Sequence, residues 1–167
     1  MSRITTIGAV TLFVLGVVWV LADASIAPPV SRIEVVLAGA YKDQVASIKQ
    51  DFFEAGLANV HVQFARQGQP PQNIGLGAQV PAERAREAIR LALKYNHDVA
   101  ILLPERLFPP RFITIASSNF DDTVEYPIDK VSLTRLQDPT LTTDQFHELY
   151  RSLTPADRPP VRKGRAY

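Results

Sequence analysis

The chain has no cysteine in 167 residues. That excludes disulfides, thiolate metal ligands, a thiol nucleophile and a lipidated amino-terminal cysteine. A domain of this chain working outside the cytoplasm must be held by its hydrophobic core alone. An excess of charge of one sign is also missing: 18 Lys and Arg against 17 Asp and Glu leave a formal net charge of +1. A nucleic-acid duplex is a poor partner for such a chain, because binding one means neutralising many phosphates. Histidine occurs only as His61, His97 and His147, none in a His-x-x-x-His or His-Glu-x-x-His pattern. The sequence therefore indicates no metal site, no cofactor and no catalytic residue.

What is present is one long uncharged run. From Ile4 to Ala22 there are nineteen residues without a charge, after Arg3 and before Asp23. Within a bilayer the backbone must bond to itself, so an apolar run of about 20 residues reads as a spanning helix. Trp19 near its far end suits the interfacial aromatic position. A secretory signal peptide is the rival: Arg3 gives the basic start and Ala22-Asp23-Ala24 a small-x-small cleavage site before Ser25. The run exceeds the ~7–15 apolar residues of a signal core, which favours an uncleaved anchor. Either way the rest of the chain is expected across the membrane, as a single-pass cell-membrane protein or as a periplasmic or secreted one.

The expected organisation is an anchor or signal over residues 1–24, a Pro-rich spacer over 25–32, an α/β domain over 33–153 and a basic tail over 154–167. Pro28-Pro29 stiffens the spacer. Ile33–Ala38 reads as a buried strand, followed by a turn at Gly39-Ala40. Tyr41, Val45, Ile48 and Phe52 then recur at spacings of four, three and four, one face of an amphipathic helix. Gly56 suits its left-handed C-cap. Asn59–Phe64 alternates, with Val60, Val62 and Phe64 on one side and His61 and Gln63 on the other, a half-buried strand.

Residues 66–72 are a polar loop and Asn73–Gly77 a short strand weakened by glycine. Pro81 opens a helix over Ala82–Tyr95 with Ala85, Ala88, Ile89 and Ala92 inward, and Asn96 suits its end. Strands follow at Val99–Leu103 and Phe112–Ala116. Residues 117–140 read as loop, and Thr143-Asp144 caps a short helix through Ser152. The order β-α-β, β-α-β, then an added strand points to an α+β sandwich of ferredoxin-like type, with both helices on one face and a C-terminal helix added. The alternative is a three-layer, doubly wound parallel sheet.

Val35-Val-Leu-Ala-Gly-Ala-Tyr-Lys-Asp-Gln44, running into a helix closed by Ala55-Gly56, resembles the first half of a SPOR domain. Asn73-Ile-Gly-Leu-Gly-Ala-Gln-Val-Pro-Ala-Glu-Arg-Ala85 is similar to the second strand-glycine-helix unit, without its usual aromatic-Arg-Val start. The resemblance spans about residues 33–103. It implies a ferredoxin-like fold, a membrane anchor and binding of peptidoglycan glycan strands on the exposed sheet face. His61 and Gln63 would then face the ligand.

Other groups have local explanations. Gly75-Leu-Gly77 before a helix lacks the third glycine and the Lys-Ser/Thr of phosphate loops, and Pro81 removes a donor, so a tight turn is expected. Asn119–Glu125 places Asp121, Asp122 and Glu125 close together, without the tight-turn glycine of a calcium loop. Ser117-Ser118 follows a strand but no Gly-x-Ser-x-Gly elbow surrounds it. The expected function is a non-enzymatic binding or interaction module of the cell envelope. Its expected partners are the bilayer, through residues 4–22, and an envelope glycan or membrane protein. The alternatives are a hydrolase-like enzyme assembled from His97, Asp121, Asp122 and His147, or an accessory subunit recognised through its helix.

Overall fold

The computed structural model describes residues 30, 32–66, 68–96, 98–120 and 127–154. The run Ile4–Ala22, the cleavage position after Ala24, His97, Asp121, Asp122, Glu125 and the tail beyond 154 lie outside the described residues. Among the described residues no helix is long and apolar enough to cross a membrane.

The elements are β1 (Arg32–Leu37), a 3-10 helix (Gly39–Gln44) leading into α1 (Val45–Glu54), β2 (Val60–Phe64), β3 (Asn73–Leu76), α2 (Ala82–Asn96), β4 (Ile101–Leu103), a 3-10 turn (Glu105–Leu107), β5 (Phe112–Ile115), α3 (Lys130–Leu136) and α4 (Thr143–Leu153). They form an α+β domain around one five-stranded mixed sheet of order β2-β1-β5-β3-β4. β1 is parallel to β2 and to β5, and β3 is parallel to β4 but antiparallel to β5.

The two expected β-α-β units are there, but neither is split: β1 pairs directly with β2, and β3 with β4. This departs from the ferredoxin-like order, in which another strand separates the parallel pair. The antiparallel β3–β5 pairing likewise departs from a doubly wound parallel sheet. The reason is β5. Its residues Ile113 and Ile115 are aliphatic and fully buried, so it enters the middle of the sheet rather than adding to an edge.

The register aligns one apolar row across all five strands: Val62, Val35, Ile115, Ile74 and Leu102. Period-two alternation puts this row, with Ile33, Leu37, Ile113 and Leu76, on the face that receives α1 and α2. α1 buries Ile48 and Phe52 there, and α2 buries Ala85, Ala88, Ile89 and Ala92. The helices lie side by side, with Phe52 stacked on Tyr95 at 6.5 Å between centroids and the Arg84 guanidinium donating to the Ala55 carbonyl at 3.0 Å. That last bond supplies a cation to the C-terminal end of α1, where helix carbonyls are left over. Gly56 takes the left-handed C-cap conformation, φ +70°, under the same guanidinium.

Helix α3 falls within the stretch expected to be loop. Its N-cap is Asp129, whose carboxylate accepts from the Ser132 amide at 2.9 Å and the Ser132 hydroxyl at 2.7 Å. Ile128 and Leu133 occupy the N′ and N4 positions of a hydrophobic staple, a signal the short apolar pattern around Pro127 obscured. α4 begins one residue earlier than the Thr143-Asp144 cap expected: Thr142 and Gln145 form a reciprocal capping box. Its Tyr150 is fully buried and donates to the carbonyls of Ile74 (3.1 Å) and Leu103 (2.8 Å), tying α4 to β3 and β4. Burial pushes that hydroxyl's pKa far up, so it stays a donor at any ordinary pH.

Glycine in β3 has a steric cause. A Cβ on Gly75 would meet the Phe108 ring at 2.4 Å, and one on Gly77 the Pro109 carbonyl at 1.9 Å. A Cβ on Gly39 would have no neighbour closer than 3.9 Å. Gly75→Ala is therefore expected to lose about 1–3 kcal/mol of stability, with Gly39→Ala within about 0.5 kcal/mol of wild type. Urea unfolding of both variants checks this, and equal losses would mean that the Phe108 contact is not what demands glycine.

Candidate binding face

Among the described residues, the sheet face opposite α1 and α2 is covered on one half only. Over β3 the Phe108 ring fills the place left by Gly75. Phe108 stacks on Phe112 at 5.8 Å and meets the edge of Phe120 at 5.9 Å. Over β1 and β2 the outward side chains are His61 and Gln63, both exposed, and Glu34 and Val36, both half-buried. In register, His61, Glu34 and Thr114 form one row that runs into the phenylalanines, and Gln63 stands beside Val36. The Gln63 amide lies 3.3 Å from His61 Nδ1, and Arg32 pairs with Glu34 at 2.8 Å. The face is thus a hydrogen-bonding strip bounded by an aromatic wall.

His61 and Gln63 are therefore brought together on this face, as the alternation implied. Glu34 and the phenylalanines were not singled out in the sequence. Glu34 joins the face because β1 lies in register with β2, and Phe108 because a loop folds over a glycine. Both are pairings between distant segments that single-sequence periodicity does not contain.

His147 is elsewhere and is engaged. It is 3% exposed on α4. Nδ1 lies 2.5 Å from a Glu105 carboxylate oxygen, and Nε2 donates to the Val80 carbonyl at 2.7 Å. A carbonyl only accepts, so Nε2 carries hydrogen, and Nδ1 makes the hydrogen bond to the carboxylate on the other side. Arg151 donates to the second Glu105 oxygen at 3.2 Å. The group joins α4, the turn after β4 and the loop after β3, with no ring nitrogen left for a ligand.

Ser117 is held by its backbone. Its amide donates to Asn73 Oδ1 at 2.8 Å, its carbonyl accepts from Asn73 Nδ2 at 3.0 Å, and its hydroxyl accepts from the Asn119 amide at 3.4 Å. The two-point clamp holds the neighbouring Ala116 at φ 60°, a conformation that costs a non-glycine residue roughly 1–2 kcal/mol. Gly75 and Gly77 are closed by Phe108 and Pro109, which makes them packing positions rather than a phosphate cradle. Among the described residues no group of three or more His, Asp or Glu is placed to hold a metal ion.

A groove of about 400 Å³ runs between α1 and α2, lined by Asp51, Glu54, Glu87, Arg84, Arg90 and Lys94 among others. Its charges are largely spent on one another: Arg90 with Glu87 at 2.7 Å, Arg84 with Glu83 at 3.4 Å, and Lys94 with Asp51. Tyr95 also donates to Asp51. The hydrogen bonds from Lys94 and then Tyr95 hold the Asp51 carboxyl below its usual range, while burial pushes the Tyr95 hydroxyl up.

No protein-family model matches the chain, and neither a curated protein nor a solved structure matches it. The functional reading rests on the face itself.

Two outcomes follow from these clusters. His147→Ala leaves Glu105 buried with only the exposed Arg151 as partner, and is expected to lose about 3–5 kcal/mol. Arg151→Ala is expected to lose less than about 1 kcal/mol. Similar losses in urea unfolding would refute the buried pair as the anchor of α4. The second outcome concerns pH. A carboxylate whose folded pKa is depressed contributes stability above its unfolded pKa and loses it as pH falls through the folded value. Wild type is thus expected to lose more stability between about pH 5 and pH 2 than Asp51→Asn, and parallel acid-side curves would show that the Asp51 bonds do not act in solution.

Proposed function

We propose that this chain is a non-enzymatic binding module of the cell envelope, carried beyond the bilayer by Ile4–Ala22, with its ligand on the sheet face that the helices leave uncovered. The observation that carries the reading is the row His61, Glu34 and Thr114 running into the stacked Phe108 and Phe112. A saturated sugar ring matches such a strip. Its hydroxyls bond to neutral and anionic side chains, and its axial C–H face packs on an aromatic ring. An envelope glycan is accordingly the ligand class. The uncharged run of nineteen residues supports a single-pass anchor with the domain outside the cytoplasm.

Full-length protein in mild detergent, mixed with purified peptidoglycan sacculi and centrifuged, tests both parts. Co-sedimentation is expected, weakened about tenfold or more by His61→Ala with Gln63→Ala and by Phe112→Leu, each such step being about 1.4 kcal/mol. Binding indifferent to these substitutions would reject the face. A chain that ignores sacculi but co-purifies with a membrane protein, and loses it when residues 4–22 are replaced by another apolar segment, would be an accessory subunit instead. Release of a soluble species beginning at Ser25 would reject the anchor.

A further inference from the structure

The two edges of the sheet are unlike. β4 is three residues long and is stopped by Pro104. The Ala100 carbonyl just before it accepts from the Ile128 amide at 3.0 Å, and the Leu103 carbonyl at its end accepts from the Tyr150 hydroxyl. β2, at the other edge, is Val60-His-Val-Gln-Phe64 and pairs only with β1 among the described residues. It has no proline, glycine, lysine or acidic residue, the devices that normally keep a free edge from pairing.

The backbone of β2 presents a definite pattern to the outside. The Asn59 carbonyl accepts from the Ile33 amide at 2.9 Å, and the Ala65 amide donates to the Leu37 carbonyl at 2.8 Å. Odd-numbered residues thus turn their amide and carbonyl toward β1. Alternation leaves the amides and carbonyls of Val60, Val62 and Phe64 facing outward.

We infer that this edge takes the β2 edge of a second copy of the chain, antiparallel, about a two-fold axis through Val62. That register sets Val62 against Val62, Val60 against Phe64 and His61 against Gln63 of the mate. All three outward residues then become hydrogen-bonded pairs, six bonds in total, and the same register is self-complementary as two-fold symmetry requires. No like charges meet, because β2 has no Lys, Arg, Asp or Glu. The apolar side of β2 is only half-buried in one copy, and the pairing extends the core row across the junction.

A second observation lies beside this edge. Asp51 of α1 reaches Lys94 and Tyr95 of α2. Phe53, two residues on, lies about 200° around the helix, on the side turned away from α2 and toward β2. It is 63% exposed, the largest exposed apolar side chain among the described residues. The two-fold brings the two α1 helices onto the same side of a ten-stranded sheet at roughly the 8–10 Å of ordinary helix packing. Phe53 of each copy is then covered at the junction. The inference is independent of the ligand on the opposite face.

The native chain has no cysteine, so single cysteines placed along β2 of the full-length protein in detergent report the register. Across the two-fold, position 62 faces itself with Cα atoms about 5.5 Å apart, within disulfide reach, while positions 60 and 64 do not face themselves. Mild oxidation is expected to give a cross-linked dimer with Val62→Cys, none with Val60→Cys or Phe64→Cys alone, and a heterodimer when those two are mixed. His61→Lys with Gln63→Lys places lysines opposite one another and is expected to weaken dimerisation at least tenfold by sedimentation. His61→Lys with Gln63→Glu is expected to restore it. A sedimenting monomer, equal cross-linking at all three positions, or a dimer blind to the charge exchange would each overturn the proposal. So would a monomer whose Val60, Val62 and Phe64 amides are already protected from hydrogen exchange, since another segment of the same chain would then occupy the edge.

Discussion

Strand β5 hydrogen-bonds on both sides, parallel to β1 and antiparallel to β3, and the rest of the domain depends on it. Each β-α-β unit alone is a pair of short strands with one helix, too little apolar surface to persist. Ile113 and Ile115 sit between Ile33 and Leu76 and between Val35 and Ile74, so one four-residue strand joins two half-cores into one. Burying two such side chains fully contributes on the order of 3–6 kcal/mol, comparable with the net stability of a small domain. The reversal of direction between the halves follows from the same strand, because a chain leaving β4 and turning back through Pro109-Pro110 must run opposite to β3.

The turn that delivers β5 also shapes the candidate face. Phe108 closes over Gly75 and stacks on Phe112, which covers the β3 end of that face and, among the described residues, leaves the β1–β2 end open. The closed half is hydrophobic, the open half polar and exposed. A strip of this kind arises without any residue being displaced from its structural work, since His61, Gln63 and Glu34 are the solvent-side positions of alternating strands. Binding on the open side draws on the side chains of β2, and self-association along its edge adds the outward backbone amides and carbonyls of the same strand.

The carboxy-terminal half of the domain is fastened by buried polar contacts. Tyr150 reaches two strand carbonyls, and His147 hydrogen-bonds to Glu105 beside Arg151. Such contacts contribute little net energy when formed but are costly to break singly, because each leaves a desolvated partner behind. They fix where α4 sits more than how strongly it is held. This accounts for a histidine in a position with no free ring nitrogen and no access to solvent.

Local pattern in the sequence determined the elements with strong periodicity. The Tyr41–Phe52 spacing gave α1, although its first turn winds as a 3-10 helix, and the alternation of Val60, Val62 and Phe64 gave β2. The Pro81 start gave α2, and Gly56 gave a left-handed cap. Those features are set by contacts within a few residues, where side-chain period and backbone preference act together. α3 escaped because its apolar positions are few and its staple and cap span the Pro127 neighbourhood. Strand order, the direction of β5 relative to β3, the Phe108 contact that demands Gly75, and the His147–Glu105 pair came only from tertiary structure. Each joins residues more than twenty-five positions apart, and such pairings are chosen by which apolar faces can be buried together, a property of the assembled chain and of no single segment.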